Sequence, residues 1–165
     1  DFEQSLRQRV ALLKGQPENQ LAEVYEHKLV LSQGAEEFIR DTQAHGIKFL
    51  LVSGGFTYFT DRLKTRLGLD WAFANRLEIA DGRLTGKVLG KVIDAQAKAD
   101  LLNQHRQALG ATRDEVLAIG DGANDIPMLQ AAGFGVAYHA KPKTQAAAPI
   151  AISHHGWEAV RQLFT

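Results

Sequence analysis

Phe2, Leu6, Val10 and Leu13 recur at steps of three and four residues and predict an opening helix with one apolar stripe. Gly15-Gln16-Pro17 ends that pattern, and a second short helix is expected through about Lys28. Leu29 to Gly34 reads as a connection. Ala35 to about Ala44 then shows helical amphipathicity and stops at His45-Gly46. From there a repeated grammar sets in. The apolar run Ile47 to Val52 is followed by Ser53-Gly54-Gly55 and a helical stretch from about Phe56 to Leu67. The run Glu115 to Ile119 is followed by Gly120-Asp121-Gly122-Ala123-Asn124 and a helix near Ile126 to Ala132. Phe134 to Tyr138 and Ile150 to Ile152 are two further candidate strands, each leading into a helical segment. Buried strands alternating with helices predict an α/β fold, a Rossmann-like parallel sheet with helices on both faces. One piece departs from this grammar. Arg76 to Ala80, Asp81-Gly82 and Arg83 to Thr85 read as a β-hairpin on a type I′ turn. A helix from Asp94 to Leu109 leads on to the second strand run.

Composition narrows the function classes. Nineteen basic and nineteen acidic residues cancel, so the clustered basic excess of a nucleic-acid surface is not expected. No run of apolar residues is long enough for a membrane span. The absence of cysteine rules out disulfides and thiol chemistry and is compatible with a cytoplasmic location. Asp1-Phe2-Glu3-Gln4 opens inside a helical pattern without a methionine, which suggests residues upstream.

Four places carry candidate chemistry. Gly120 to Asp125 follows a buried strand, and ligands of open parallel sheets bind beyond the strands' carboxyl ends. Glycines allow a sharp turn from which carboxylates project, and a hard divalent cation takes such oxygens together with water and phosphate. A solvated acidic turn is the plainer account. Ser53-Gly54-Gly55 ends a strand and opens a helix, where a hydroxyl and free amides form an anion site. Ser53 can equally serve as a helix cap. Lys98 sits in the first turns of its helix, where a cation opposes the dipole; a bound phosphate would explain it, and so would a surface position. Arg9 shares a helix face with Phe2, Leu6 and Leu13; it can clamp a carboxylate or extend over the stripe into water.

Taken in order, Asp1 to Gly15, Val52 to Phe56, Phe73 to Leu77, the hairpin, Gly120 to Asp125 and His139 to Lys143 resemble the phosphoserine phosphatases of the haloacid dehalogenase superfamily. The resemblance implies hydrolysis of L-phosphoserine through an aspartyl-phosphate, the last step of serine biosynthesis, with Mg²⁺ as cofactor. It implies a helical cap remnant over residues 1–33 and an α/β core over residues 34–165. Asp121 would hold the metal, with Asp125 fixing the loop and supporting the metal from its second shell. Ser53 and the Gly54 amide would bind phosphate oxygens, Lys98 would neutralise their charge, and Asn124 would hydrogen-bond substrate. Arg9 would hold the substrate carboxylate and Phe2 would wall the pocket. The serine–glycine turn, the lysine and the acidic loop are thus expected to serve one phosphoryl group.

The sequence departs from the family in one respect. The Asp-x-Asp-x-Thr run of the family's first strand, which supplies the nucleophile and the general acid and base, occurs nowhere in the 165 residues. That strand is expected between the strand ending at Ser53 and the strand ending at Gly120, supplied by an upstream segment or a second chain. The chain alone is expected to be inactive. Two alternatives remain open: a non-catalytic phosphate- and metal-binding module, and a phosphotransferase using the same intermediate.

Overall fold

The structure, a computed structural model, describes residues 1–164. In chain order its elements are α1 (Phe2–Ala11), α2 (Asn19–His27), α3 (Ala35–Ala44), β1 (Leu50–Phe56), α4 (Thr57–Leu67), β2 (Trp71–Ala80) and β3 (Arg83–Leu89). They continue with α5 (Ala95–Ala108), β4 (Leu117–Gly120), α6 (Ile126–Ala131), β5 (Phe134–Tyr138), α7 (Pro142–Ala147), β6 (Ile150–Ile152) and α8 (Trp157–Arg161). Short 3₁₀ turns precede β4 and α6. The elements group into two compact units, one of Asp1–Ser32 with Thr42–Asp94, the other of Gln33–Asp41 with the chain from Ala95 onward. None of the described helices is long and apolar enough to cross a membrane.

In the first unit the strand order is β1-β2-β3, with β1 parallel to β2 and β2 antiparallel to β3. The expected hairpin is present: Asp81 and Gly82 both take positive φ (52° and 72°), as a type I′ turn demands. Its first strand is longer than the alternation predicts, because residues 71–75 continue backwards to pair with β1. Strand β1 also differs from the expected Ile47–Val52. The amide of Phe49 is taken by the Asp70 carboxylate (2.7 Å) instead of a ladder partner, so the strand starts at Leu50. It then runs through the Ser-Gly-Gly segment, where the register with β2 shifts between Val52 and Phe56.

Helix α1 is capped by Asp1, whose carboxylate accepts from the Glu3 amide at 3.1 Å. Its Leu6 and Val10 are buried with Leu21, Leu77, Leu84, Val88 and Val92 in one apolar cluster. Helix α1 packs on β3, and Gly86 (φ +85°) lets it come close: a Cβ there would lie 3.0 Å from Lys14 Cβ and 3.3 Å from the Ala11 carbonyl oxygen. The α1–α2 connection is bonded to the hairpin tip by three backbone bonds and by the Arg83 guanidinium, which donates to the Gly15 carbonyl at 2.8 Å. Gly15 donates to Leu84 (2.8 Å), Leu84 to Gln16 (2.9 Å) and Glu18 to Gly82 (2.8 Å).

In the second unit β4, β5 and β6 pair in that order, all parallel. Leu102, Ala118, Leu129, Ala132 and Ala137 form its core. The small residues let α5, α6 and the sheet approach closely. A second cluster joins Trp157 of α8 to Phe38 of α3 (ring centroids 5.0 Å apart) and to Tyr138 of β5 (4.5 Å). Arg161 adds an ion pair with Asp41 at 2.6 Å.

Gly135, on buried β5, has no room for a side chain, since an added Cβ would sit 2.0 Å from the Leu129 carbonyl oxygen. Gly135→Ala is predicted to cost about 1–3 kcal/mol, the usual magnitude of overpacking. Urea denaturation measures this; a midpoint equal to wild type would refute the tight α6–β5 contact.

Candidate active site

The acidic loop is organised by one residue. Asp125 is buried, and both of its carboxylate oxygens are committed. Oδ1 accepts from Lys98 Nζ at 2.7 Å, while Oδ2 accepts from the backbone amides of Asp121 and Gly122, each at 3.1 Å. Residues of α5, the end of β4 and the turn before α6 are thereby tied together. The carboxylate folds so far back that a Cβ on Gly120 would lie 2.5 Å from Asp125 Cβ. One on Gly122 would lie 2.7 Å from Asn124 Oδ1. Both glycines are therefore steric requirements of the fold-back.

With Asp125 holding the loop from inside, Asp121 is exposed, and its carboxylate makes no hydrogen bond among the described residues. Asn124 is half-buried on the same loop. Lys98 is not the surface lysine that helix statistics favour: its side chain is 7% exposed. Its placement against the dipole of α5 is explained in part by the Asp125 carboxylate. One of its three N–H groups is used there, which leaves two donors.

In the first unit, Ser53 does not cap α4. The cap position is Phe56, which makes no side-chain cap bond, and Ser53 Oγ instead accepts from the Gly55 amide at 2.9 Å. The serine–glycine turn is half-buried. The carbonyl of Gly54 accepts from Asn75 Nδ2 at 2.9 Å, and Asn75 Oδ1 accepts from the Ile93 amide at 2.7 Å. Asn75 is 1% exposed. Its importance went unread in the sequence, where the one available signal was an amide side chain in the run Phe73 to Leu77.

Of the two cap residues, Phe2 packs against the apolar cluster of the first unit. Arg9 is exposed, and its Nε lies 3.4 Å from the Ser5 carbonyl of its own helix; its terminal nitrogens have no partner among the described residues. The structure thus brings Lys98, Asp121, Asn124 and Asp125 together in the second unit. Ser53 and Gly54 stand on one turn of the first unit, and Phe2 and Arg9 stand on its α1.

A parallel strand ending in an acidic Gly-Asp-Gly loop, locked from beneath by a buried lysine–carboxylate pair, places the candidate site beyond the carboxyl end of β4, where ligands of parallel α/β sheets bind. The haloacid dehalogenase-like hydrolase family matches residues 1–130, and the chain belongs to that family. Within it, the chain is 51% identical over 156 residues to a phosphoserine phosphatase of Vibrio cholerae serotype O1, a match covering 94% of this chain and 47% of that protein. It is 44% identical to a phosphoserine phosphatase of a Polaromonas species, over 99% of this chain and 71% of that protein. The crystal structure of a probable phosphoserine phosphatase from Vibrio cholerae, in unliganded form, superposes with a TM-score of 0.94 at 49% identity, covering 99% of this chain and 50% of that one. The chain thus spans about half the length of the Vibrio relative. The α/β fold expected from the strand–helix alternation is the fold found.

Removing one partner of a buried ion pair leaves the other charge without compensation. Asp125→Ala is predicted to destabilise the protein by about 3–5 kcal/mol, and Lys98→Met in the same chain to restore part of that loss. Chemical denaturation of the single and double variants tests this; a single variant as stable as wild type would contradict the assigned role of the pair.

Proposed function

We propose that the full-length protein containing these residues is a phosphoserine phosphatase, which releases phosphate from L-phosphoserine through an aspartyl-phosphate intermediate. The observation that carries the reading is the locked loop: Asp125 spends both oxygens on Lys98 and two amides, so that Asp121 is left free at the end of β4. Support also comes from the two relatives of that name, matched along nearly the whole chain.

Phosphate monoesters present concentrated negative charge, and their barrier yields mainly to positioning and charge stabilisation. The residues suit that demand. Ser53 can donate its hydroxyl proton to a phosphate oxygen while its lone pair takes the Gly55 amide, and the Gly54 amide adds a second donor. The remaining N–H groups of Lys98 can neutralise charge on the phosphoryl oxygens, and Asn124 can hydrogen-bond substrate. Arg9, with a free planar fork, is suited to a carboxylate, and Phe2 walls that side.

Among the described residues no group of three or more His, Cys, Asp or Glu side chains can hold a metal ion. That donor set still fits Mg²⁺, which takes one or two protein carboxylates and completes its octahedron with water and phosphate. Asp121 would be the ligand. Asp125, fully engaged with Lys98 and the loop amides, would support it indirectly. When bound, the metal supplies positive charge for the phosphoryl oxygens.

The nucleophilic aspartate is not among these residues, since the sequence holds no Asp-x-Asp-x-Thr run. It would come from a further strand of the protein. Among the described residues, strands β1 and β4 each lie at an edge of their own three-stranded sheet and leave one side open to pairing. Amino-acid biosynthesis is consistent with a cytoplasmic location.

The full-length protein is expected to release inorganic phosphate from L-phosphoserine with Mg²⁺ and to stop when EDTA is added, whereas the 165-residue chain alone does not turn over. Ser53→Ala should lower kcat/KM by roughly 10²-fold, as loss of a preorganised donor does. Arg9→Ala should raise KM for phosphoserine and leave p-nitrophenyl phosphate, which has no carboxylate, nearly unchanged. No phosphate release from phosphoserine by the full-length protein would refute the assignment, and equal losses on both esters would remove the carboxylate clamp.

A further inference from the structure

Asn75 is the most deeply buried polar side chain of the first unit, at 1% exposed, and its amide nitrogen and oxygen each bond one backbone group. It stands opposite the place where the β1–β2 register shifts, so Ser53, Gly54 and Gly55 have no ladder partner on β2. A strand segment released from its ladder has carbonyls and amides to satisfy by other means. The Asn75 side chain does this for Gly54, by donating Nδ2–H to its carbonyl at 2.9 Å.

The consequence reaches Ser53 through one peptide plane. The carbonyl of Gly54 and the amide of Gly55 belong to the same rigid peptide unit and point in opposite directions. Asn75 holds the carbonyl end, and the amide end is directed at Ser53 Oγ at 2.9 Å. That bond occupies a lone pair of the hydroxyl and leaves its proton free to point at an acceptor. The other arm of Asn75 anchors the arrangement to the Ile93 amide at 2.7 Å. An apolar residue of the same size would fill the space but leave the peptide free to rotate. An aspartate would keep the Ile93 arm and set an acceptor against the Gly54 carbonyl.

We infer that Asn75 is a positioning residue for phosphate: it fixes the 54–55 peptide plane and so aims the Ser53 hydroxyl and the neighbouring amides. This rests on the reading of Ser53 and Gly54 as the phosphate-binding turn. Because phosphate is common to all substrates, Asn75 acts on every ester alike, unlike Arg9.

The test uses the full-length protein with Asn75→Asp and Asn75→Leu, and inorganic phosphate as a competitive inhibitor. Both variants should raise the Ki for phosphate and lower kcat/KM roughly 10-fold or more, since small misplacements of a binding group have effects of that size. The loss should be equal for phosphoserine and p-nitrophenyl phosphate, and Asn75→Asp should be as impaired as Asn75→Leu despite keeping the Ile93 arm. A purely structural role would lower the Tm and leave Ki and kcat/KM where they were, which overturns the inference. Should the variants fail to fold, wild-type ¹⁵N NMR answers the question. On phosphate titration, the Asn75 side-chain amide should shift together with the Gly54 and Gly55 backbone amides. Shifts at Gly54 and Gly55 with Asn75 unmoved overturn the proposal. If phosphate moves none of them and wild type does not hydrolyse phosphoserine, the phosphatase reading itself has failed and this inference falls with it.

Discussion

Lys98 and Asp125 are both more than nine-tenths buried and face each other at 2.7 Å. Withdrawing two charges from water is costly, and mutual attraction compensates only if the remaining hydrogen-bonding capacity is also filled. Asp125 meets that condition with two backbone amides, one of them from a residue whose own carboxylate is left in solvent. The pair therefore does more than hold α5 against the loop. It consumes the negative charge of Asp125 inside the protein and leaves Asp121 as the carboxylate available for outside partners.

Each unit organises a candidate binding turn through one buried polar side chain that ties backbone groups together. In the second unit that side chain is ionic and its partners include a lysine; in the first it is the neutral amide of Asn75. The difference suits the surroundings. Asn75 lies buried within a strand, where an uncompensated charge would be expensive and an amide supplies one donor arm and one acceptor arm at once. Both side chains act on peptide groups, so the candidate ligand donors are held by residues that need not touch a ligand.

Much of this was legible in the sequence where local chemistry dictates structure. The Asp81-Gly82 turn, the helix from Ala35 to Ala44 and the order of strands and helices follow from turn residues and apolar periodicity, which need no knowledge of distant partners. The Gly-Asp-Gly loop was legible as a candidate site for the same reason: its glycines and carboxylates are adjacent. What escaped was set by residues far apart in sequence. The start of β1 depends on Asp70, twenty-one positions from Phe49, and the continuation of β1 through the glycines depends on Asn75. Lys98 read as ambiguous because its burial is decided by a carboxylate twenty-seven positions away. Periodicity cannot report such pairings, since the partner is not within the window.

The backbone bonds joining residues 15–18 to residues 82–84 couple two loops that are remote in the chain. Most of the joining is done by amides and carbonyls, with the Arg83 guanidinium on the Gly15 carbonyl as the side-chain contribution. Chain length cannot vary freely. Adding one residue to the α1–α2 connection, or one to the hairpin tip, would slide donors past acceptors and flip the strand-like segment by half its repeat. Insertions and deletions in one loop should therefore be tolerated only with a matching change in the other, and the two loops should keep their lengths in step even where their sequences drift apart.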